Sequence, residues 1–201
     1  MIKAMLFDAD GMVINKPKRF SELLAEDYKV PNEKIIPFFQ NEFQACLIGK
    51  IDLKDAVTPY LANWNWNGSV DDILKYWFEK ENYVDKRITD LIANCRKQGI
   101  KCYLHSNQEK YRTKFMTDVM GFSKIFDDIF SSAHLGFKKP DPEFWKSVLN
   151  KISPTEKSEV LVFDDDEENF VSAKEFGFKS YLYKDFEGFI DILINLGVNL
   201  N

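Results

Sequence analysis

Short apolar runs alternate along the chain with longer segments in which apolar residues recur every three or four positions. A continuous apolar run bounded by polar residues is typical of a strand buried on both faces of a sheet. Five runs meet this description: Ile2 to Phe7, Ile100 to Leu104, Ile125 to Phe130, Val160 to Phe163 and Lys179 to Tyr183.

Helical segments lie between these predicted strands, and glycines suited to left-handed helix caps follow three of them. Strands that alternate with helices predict right-handed crossovers and a doubly wound parallel sheet of the α/β class. Ligands of such sheets bind at the carboxyl ends of the strands. The segments are Ile88 to Gln98, Glu109 to Met120, Phe144 to Ile152 and Glu167 to Phe176, and the glycines are Gly99, Gly121 and Gly177.

Residues 16–85 interrupt the alternation, because they offer helical patterns but no convincing strand. We expect them to form a small all-helical cap domain inserted after the first strand, with residues 1–15 and 86–201 forming the α/β core domain. Asp52 and Ser69 are plausible N-caps, and Ser69 forms a capping box with Asp72. The predicted helices are Arg19 to Lys29, Asn32 to Leu47, Leu53 to Asn63 and Val70 to Glu81.

Composition narrows the classes of function. The 201 residues carry a net charge of -5 with no long basic run, which argues against nucleic acid or an anionic membrane as partner. No stretch of about 18 apolar residues occurs, so we expect a cytoplasmic protein. The three cysteines lack metal-site spacing and are expected to be reduced, mostly buried thiols.

Two groups of carboxylates come directly after predicted strands. Asp8 and Asp10 follow the first strand, and Asp164, Asp165 and Asp166 follow the fourth. Both groups should therefore meet at the ligand-binding edge of the sheet. Crowded carboxylates repel each other unless a cation neutralises them, and oxygen ligands favour Mg²⁺. Capping of helices is the simpler alternative for any single acid.

Groups able to bind an anion follow two other apolar segments. Ser106 and Asn107 end the second strand, and Lys139 lies in a turn before a helix that Asp141 could cap with Pro142 at its first position. A lysine held there could balance the acids and bind a phosphoryl oxygen. Taken alone, Ser106 would be a turn residue and Lys139 a solvated charge, so the signal is their joint placement.

Four segments together resemble the motifs of the haloacid dehalogenase superfamily, in the order in which that family carries them. They span nearly the whole chain, which makes the resemblance specific. The segments are Phe7-Asp8-Ala9-Asp10-Gly11, Leu104-His105-Ser106-Asn107, Lys139-Pro140-Asp141-Pro142 and Phe163-Asp164-Asp165-Asp166-Glu167-Glu168-Asn169.

The resemblance implies a role for each matching residue. Asp8 would be the nucleophile that forms an aspartyl-phosphate, and Asp10 the general acid and base. Ser106 and Lys139 would stabilise the transition state and, with Asn107, bind the phosphate. Mg²⁺ would be held by Asp8, the Asp10 carbonyl and Asp165, with Asp164 acting through water or in the outer shell. Asn169 would organise the loop.

The resemblance implies a phosphatase acting on a small phosphorylated metabolite, and its branch is similar to sugar-phosphate phosphatases. A phosphomutase uses the same pair of aspartates and stays an alternative, as does a binding or regulatory protein on this fold. Oligomeric state is left open. We expect His105 to be packed rather than catalytic and His134 to be exposed. The cap aromatics Trp64, Trp66, Tyr76 and Trp77 should form the cap's own small core.

Overall fold

A five-stranded parallel sheet lies at the centre of the computed structural model, which describes residues 2–200. The strand order is β3-β2-β1-β4-β5, so the first strand of the chain is the central one. The parallel, doubly wound sheet expected from the sequence is thereby confirmed. The strands are β1 (Ala4–Asp8), β2 (Lys101–Ser106), β3 (Asp128–Ser131), β4 (Val160–Asp164) and β5 (Lys179–Leu182).

Helices connect the strands and form the segment inserted after β1. The inserted segment contains α1 (Phe20–Asp27), α2 (Asn32–Gln40), α3 (Glu42–Cys46), α4 (Leu53–Val57), a 3-10 turn at Thr58–Tyr60 and α5 (Val70–Lys80). The remaining helices are α6 (Lys86–Lys97), α7 (Lys110–Asp118), α8 (Phe122–Ile125), α9 (Ser132–Leu135), α10 (Pro142–Lys151), α11 (Glu167–Phe176) and α12 (Phe186–Asn195), and a second 3-10 turn spans Lys157–Glu159.

Alternate side chains of β1 enter different cores on the two faces of the sheet. Met5 and Phe7 pack on one face with residues of α6 and α12. Ala4 and Leu6 pack on the other with residues of α10 and α11. Every residue of β1 is buried, as the apolar run predicts. Full burial of one large apolar side chain contributes about 1.5–3 kcal/mol, so the central strand anchors both layers.

Residues 16–85, here called the cap segment, have an apolar core of their own. Phe20 stacks on Trp77 with 4.4 Å between the ring centroids, and Trp64 is fully buried beside them. Trp66 and Tyr76 pack against the same cluster, as expected from the sequence. The expected N-caps are also present: Asp52 accepts the Lys54 N–H, and Ser69 and Asp72 form the reciprocal box.

The cap segment leaves and re-enters the α/β core through two adjacent chain segments. Asn15 N–H donates to the Tyr83 carbonyl at 2.8 Å, and Asp85 N–H donates to the Val13 carbonyl at 2.9 Å. Ile14 and Val84 form an antiparallel bridge between them. The two crossings therefore form one short, hydrogen-bonded connection rather than two independent linkers.

Helix α7 of the core holds the other side of the cap segment. The buried Arg112 guanidinium donates to the Phe78 and Glu81 carbonyls at 2.8 and 3.0 Å, where α5 ends and its last carbonyls lack partners within the helix. The Tyr111 hydroxyl donates to Asp52 Oδ2 at 2.8 Å. These bonds fix the cap segment above the carboxyl ends of the strands.

The structure corrects several boundaries expected from the sequence. β3 begins at Asp128 rather than Ile125, because residues up to Ile125 form α8. The helix expected over Asn32 to Leu47 is divided at Asn41, and the one expected over Leu53 to Asn63 ends as an α-helix at Val57. β5 is an edge strand without a fully buried residue, so burial on both faces was wrong for it.

The three cysteines are free and buried, as expected. Within residues 2–200, no helix combines the length and the apolar character that a membrane span requires.

Candidate active site

Three strands that lie side by side end in polar residues at the same edge of the sheet. Asp8 is the last residue of β1, Ser106 the last of β2 and Asp164 the last of β4. All three are buried, and Asp164 is fully inaccessible. Because parallel strands end together, the topology brings residues from distant parts of the sequence to one place. The cap segment lies over this edge.

Lys139 joins two of these carboxylates. Its ammonium lies 2.6 Å from Asp8 Oδ1 and 2.6 Å from Asp164 Oδ2, and the residue is only 3% exposed. Burial opposes a charged lysine, but the two carboxylates outweigh it and raise the pKa of Lys139. Lys139 is therefore a protonated, desolvated cation at the ends of β1 and β4.

Asn107 fixes the backbone of Lys139. Its amide Nδ2 donates to the Lys139 carbonyl at 2.9 Å, and Lys139 N–H donates back to Asn107 Oδ1 at 2.8 Å. On the other side of the turn, Asp141 accepts the Glu143 N–H at 2.9 Å, and Pro142 begins α10, as expected. The binding of substrate by Asn107 stays a prediction, and in the structure both ends of its side-chain amide hold the backbone of Lys139.

Negative charge exceeds positive charge at this edge. Burial raises the pKa of Asp8 well above its ordinary value, and Lys139 only partly offsets this. Burial and the neighbouring Asp164 also raise the pKa of Asp165. Asp164 differs, because Lys139 and the Asp166 N–H overcome the effect of burial and lower its pKa. One ammonium thus serves several carboxylates, and Asp8 and Asp165 lack a full counter-charge.

The donor set around Asp8 and Asp165 fits a hard divalent cation. Gly11 follows Asp10 with φ +91°, and a Cβ at this position would lie 2.0 Å from Asp165 Oδ2. The turn after β1 therefore packs its backbone directly against the Asp165 carboxylate. The side chains that gather here present oxygen atoms, and their negative charge is only partly neutralised by Lys139. Both properties match Mg²⁺.

A second grouping of possible ligands consists of Asp8, His105 and Asp164, with one ligand atom from each within 4.8 Å of the others. It suits a metal less well, because the Lys139 ammonium already contacts both carboxylates. His105 packs against Trp145, and its Nε2 lies 3.2 Å from the Phe163 carbonyl oxygen. Burial and Lys139 lower the pKa of His105 to about 3, so the ring is neutral.

The loop after β4 is held by its own side chains. Asp164 Oδ1 accepts the Asp166 N–H at 2.9 Å and the Asn169 side-chain amide at 3.2 Å. Asp166 in turn caps α11 by accepting the Asn169 N–H. Asn169 thus organises the loop, as expected, and the third aspartate of the run is a helix cap.

Asp10 lies apart from the buried carboxylates and faces a cavity. Its two oxygens accept one hydrogen bond each, from Lys16 Nζ and from Gln108 Nε2, both at 2.8 Å. Lys16 also contacts the buried Glu81 at 3.1 Å. Sequence reasoning missed Lys16, Gln108 and Glu81, because neither spacing nor motif connects them with Asp10. The fold alone brings them there.

The cavity lies between the cap segment and the α/β core and has a volume of about 400 Å³. Its floor includes Asp10, Asn107 and Gln108 of the core. The cap segment supplies an apolar wall of Phe20, Ile36, Phe39, Phe43 and Trp77, beside the polar residues Lys16, Arg19, Ser21, Gln40, Gln44 and Glu81. We name this space the cap–core cavity. Of the aromatic residues considered in the sequence, Trp77 reaches it.

Comparison with known proteins gives one family and a set of similar folds. A family model described as haloacid dehalogenase-like hydrolase matches residues 2–177. The chain is 33% identical over 93 residues to the sesquiterpene phosphatase astK of Aspergillus oryzae, which is 46% of this chain and 47% of that protein. The chain thus matches about half the length of this curated relative.

Two solved structures share the fold over nearly their whole length. The HAD family enzyme bt-2542 of Bacteroides thetaiotaomicron, crystallised with magnesium and inorganic phosphate, has a TM-score of 0.77 at 22% identity, over 94% of this chain and 99% of that one. A predicted HAD-like family hydrolase of Porphyromonas gingivalis has a TM-score of 0.81 at 18% identity, over 99% of both chains.

Proposed function

We propose that this chain, which belongs to the haloacid dehalogenase-like hydrolases, is a magnesium-dependent phosphatase acting on a small phosphomonoester. The observation that carries the proposal is the Asp8 carboxylate at the end of β1, which is paired with the buried Lys139 ammonium at 2.6 Å. A carboxylate can approach an anionic phosphoryl group only where positive charge offsets their repulsion.

In the proposed reaction, an oxygen of Asp8 attacks phosphorus while the bond between phosphorus and the ester oxygen breaks. Asp10 donates a proton to the departing oxygen. A water molecule then attacks the aspartyl-phosphate, Asp10 accepts its proton, and phosphate leaves with Asp8 restored. Lys139 stabilises the charge on the phosphoryl oxygens, and Ser106 contributes its hydroxyl at the end of β2.

The residues that would hold Mg²⁺ are Asp8, Asp165 and the main-chain carbonyl of Asp10, with Asp164 in the outer shell. When bound, the ion supplies positive charge near the phosphoryl oxygens. The insufficiently neutralised carboxylates of Asp8 and Asp165 support this assignment. The magnesium and phosphate with which bt-2542 was crystallised support it further.

The cap segment completes the proposed site as a domain of its own. Its separate aromatic core and its hydrogen-bonded connection at residues 13–15 and 83–85 support a division into residues 1–15 and 86–201 for the core and residues 16–85 for the cap. It covers the strand ends, limits the access of bulk water and supplies the apolar wall of the cap–core cavity.

The substitution Asp8→Asn tests the proposal. An amide cannot act as the attacking oxygen, so release of phosphate from p-nitrophenyl phosphate with Mg²⁺ should fall by about a thousandfold or more. Asp166→Asn is the matched control, because Asp166 lies near the same edge but serves as a helix cap that asparagine can replace. Wild-type rates from Asp8→Asn, or equal losses in both variants, would refute the assignment of the nucleophile.

A further inference from the structure

The wall of the cap–core cavity is a cluster of aromatic rings. Phe39, Phe43 and Trp77 pack against one another, with ring centroids 5.3 to 5.7 Å apart. Ile36 adds an aliphatic surface on α2 and is 44% exposed. This wall and the Asp10 carboxylate line the same cavity. A leaving group protonated by Asp10 would therefore contact mainly carbon.

The polar side chains that line the cavity are largely occupied by the protein itself. Both ends of the Gln44 amide are used, since its Oε1 accepts from Lys138 and its Nε2 donates to the Phe39 carbonyl. Asn107 is bonded to the backbone of Lys139, and Gln108 to Asp10. Few free partners are left for a ligand's hydroxyl groups.

The charged side chains of the lining are also paired within the protein. Lys16 is paired with Asp10 and Glu81, and Arg112 donates to two main-chain carbonyls. Within residues 2–200, the polar lining side chains that have no hydrogen-bond partner are Arg19, Ser21 and Gln40. Arg19 and Gln40 are exposed. The wholly unpaired side chains thus lie around the start of α1 and the end of α2, and among the paired side chains the buried Arg112 Nε also has no partner.

Such a lining discriminates between two kinds of leaving group. A sugar would exchange water for a surface that can replace few of its hydrogen bonds, which opposes binding. A hydrocarbon or an aromatic group would leave water for carbon, which favours binding in proportion to the area buried. The volume of about 400 Å³ lies in the range of small-molecule sites.

We propose that the cap–core cavity selects phosphomonoesters whose leaving group is a hydrocarbon or an aromatic system rather than a polyhydroxylated sugar. The proposal rests on the phosphatase function given above and assigns its substrate class. Phe39, Phe43, Trp77 and Ile36 are the residues that determine it. The choice differs from the sugar phosphates that the sequence motifs favour, because those motifs lie in the core and the selective wall lies in the cap segment.

A series of esters tests the proposal. We would measure kcat/KM for phosphate release from ethyl, butyl and hexyl phosphate, glucose 6-phosphate and p-nitrophenyl phosphate, with Mg²⁺ present. Each buried methylene should raise kcat/KM by up to about fourfold, so hexyl phosphate should exceed both ethyl phosphate and glucose 6-phosphate by more than about tenfold. A flat series, or preference for glucose 6-phosphate, would overturn the proposal while leaving the phosphatase function intact. Release of phosphate from none of the esters would overturn both.

Two matched isoleucines locate the effect in the cavity. Ile36 on α2 is 44% exposed and lines the cavity, whereas Ile194 on α12 is 57% exposed and lies outside it. Ile36→Gln should lower the ratio of hexyl to ethyl phosphate kcat/KM by roughly threefold or more. Ile194→Gln should leave that ratio unchanged. Because both side chains are exposed, both variants should fold, and circular dichroism would verify this. Equal ratios in the two variants would overturn the assignment of the wall.

Discussion

The Lys139 ammonium lies between the Asp8 and Asp164 carboxylates at the ends of two adjacent strands. Lys139→Ala should lower kcat/KM by about a hundredfold to a thousandfold, because the phosphoryl group would then meet carboxylates without this cation. The effect on stability should also be large, since removal of one partner from a buried ion pair costs about 3–5 kcal/mol. Activity should therefore be compared under conditions in which thermal unfolding shows both proteins folded.

Lys138→Ala is the control for this prediction. Lys138 is the neighbour of Lys139 in sequence, and its Nζ donates to Gln44 Oε1 of the cap segment at 2.6 Å rather than to a carboxylate of the site. Its loss should cost less than about tenfold in kcat/KM, through a looser cap segment. A larger loss from Lys138→Ala than from Lys139→Ala would show that the lysine motif was assigned in the wrong register.

Single residues also mark the limit of prediction from sequence. Asp8 could be identified because it follows a recognisable buried strand, and Lys139 because it precedes a capped helix. Lys16 and Gln108 could not, because their contact with Asp10 depends on how the chain turns after β1 and β2. The contact between Lys138 and Gln44 could not be predicted either, because the position of Gln44 depends on the packing of the cap segment.

At the scale of elements, the turn after β1 depends on the missing side chain of Gly11. Gly11→Ala would strain a backbone with φ +91° and would also put a Cβ 2.0 Å from Asp165 Oδ2. We expect a loss of about 1–2 kcal/mol in unfolding free energy from the strain, together with a loss of activity that additional Mg²⁺ only partly restores. Urea unfolding and a magnesium titration of activity would measure the two effects.

Gly99→Ala separates the effect of backbone strain from the effect of the steric clash with Asp165. Gly99 follows α6 with φ +83°, but no atom lies within 4 Å of the position that a Cβ would occupy there. This variant should lose a similar amount of stability and keep its activity and its magnesium dependence. If Gly11→Ala behaves in the same way as Gly99→Ala, the close approach of Asp165 to the turn has no functional consequence.

The elements themselves were predictable where burial and capping act locally. All five strands and helix α11 follow from apolar runs and glycine stops. The helix over Asn32 to Leu47 is divided at Asn41, which has a non-helical backbone (φ -115°, ψ -91°) and whose side chain donates to the Pro37 carbonyl at 2.8 Å. Helix α12 was not predicted, because its isoleucines and Gly188 have low helix propensity. The packing of Phe189 and Leu193 in the core stabilises this helix.

At the scale of the whole molecule, the excess of carboxylates at the sheet edge should couple the binding of a cation to folding. Mg²⁺ at about a hundredfold excess over its dissociation constant should stabilise the protein by about 2.7 kcal/mol, which raises Tm by roughly 5–10 °C. EDTA should reverse the shift. Thermal unfolding followed by circular dichroism measures it without reference to any substrate.

Asp165→Asn should remove most of this shift in Tm, because it deletes one of the two carboxylates that lack a full counter-charge. Asp166→Asn, which changes a neighbouring helix cap, should retain it. A wild-type Tm that does not respond to Mg²⁺ would contradict the assignment of the metal site.

The central position of β1 has a consequence for how the protein is made. β1 is the first of the five strands to leave the ribosome, yet its partners are residues 101–105 on one side and residues 160–163 on the other. Its apolar residues must therefore stay unpaired while the whole cap segment is synthesised and able to form its own aromatic core. Sheets that pair strands so distant in sequence fold slowly and pass through aggregation-prone intermediates. The nascent chain should consequently depend on chaperones until β4 has emerged.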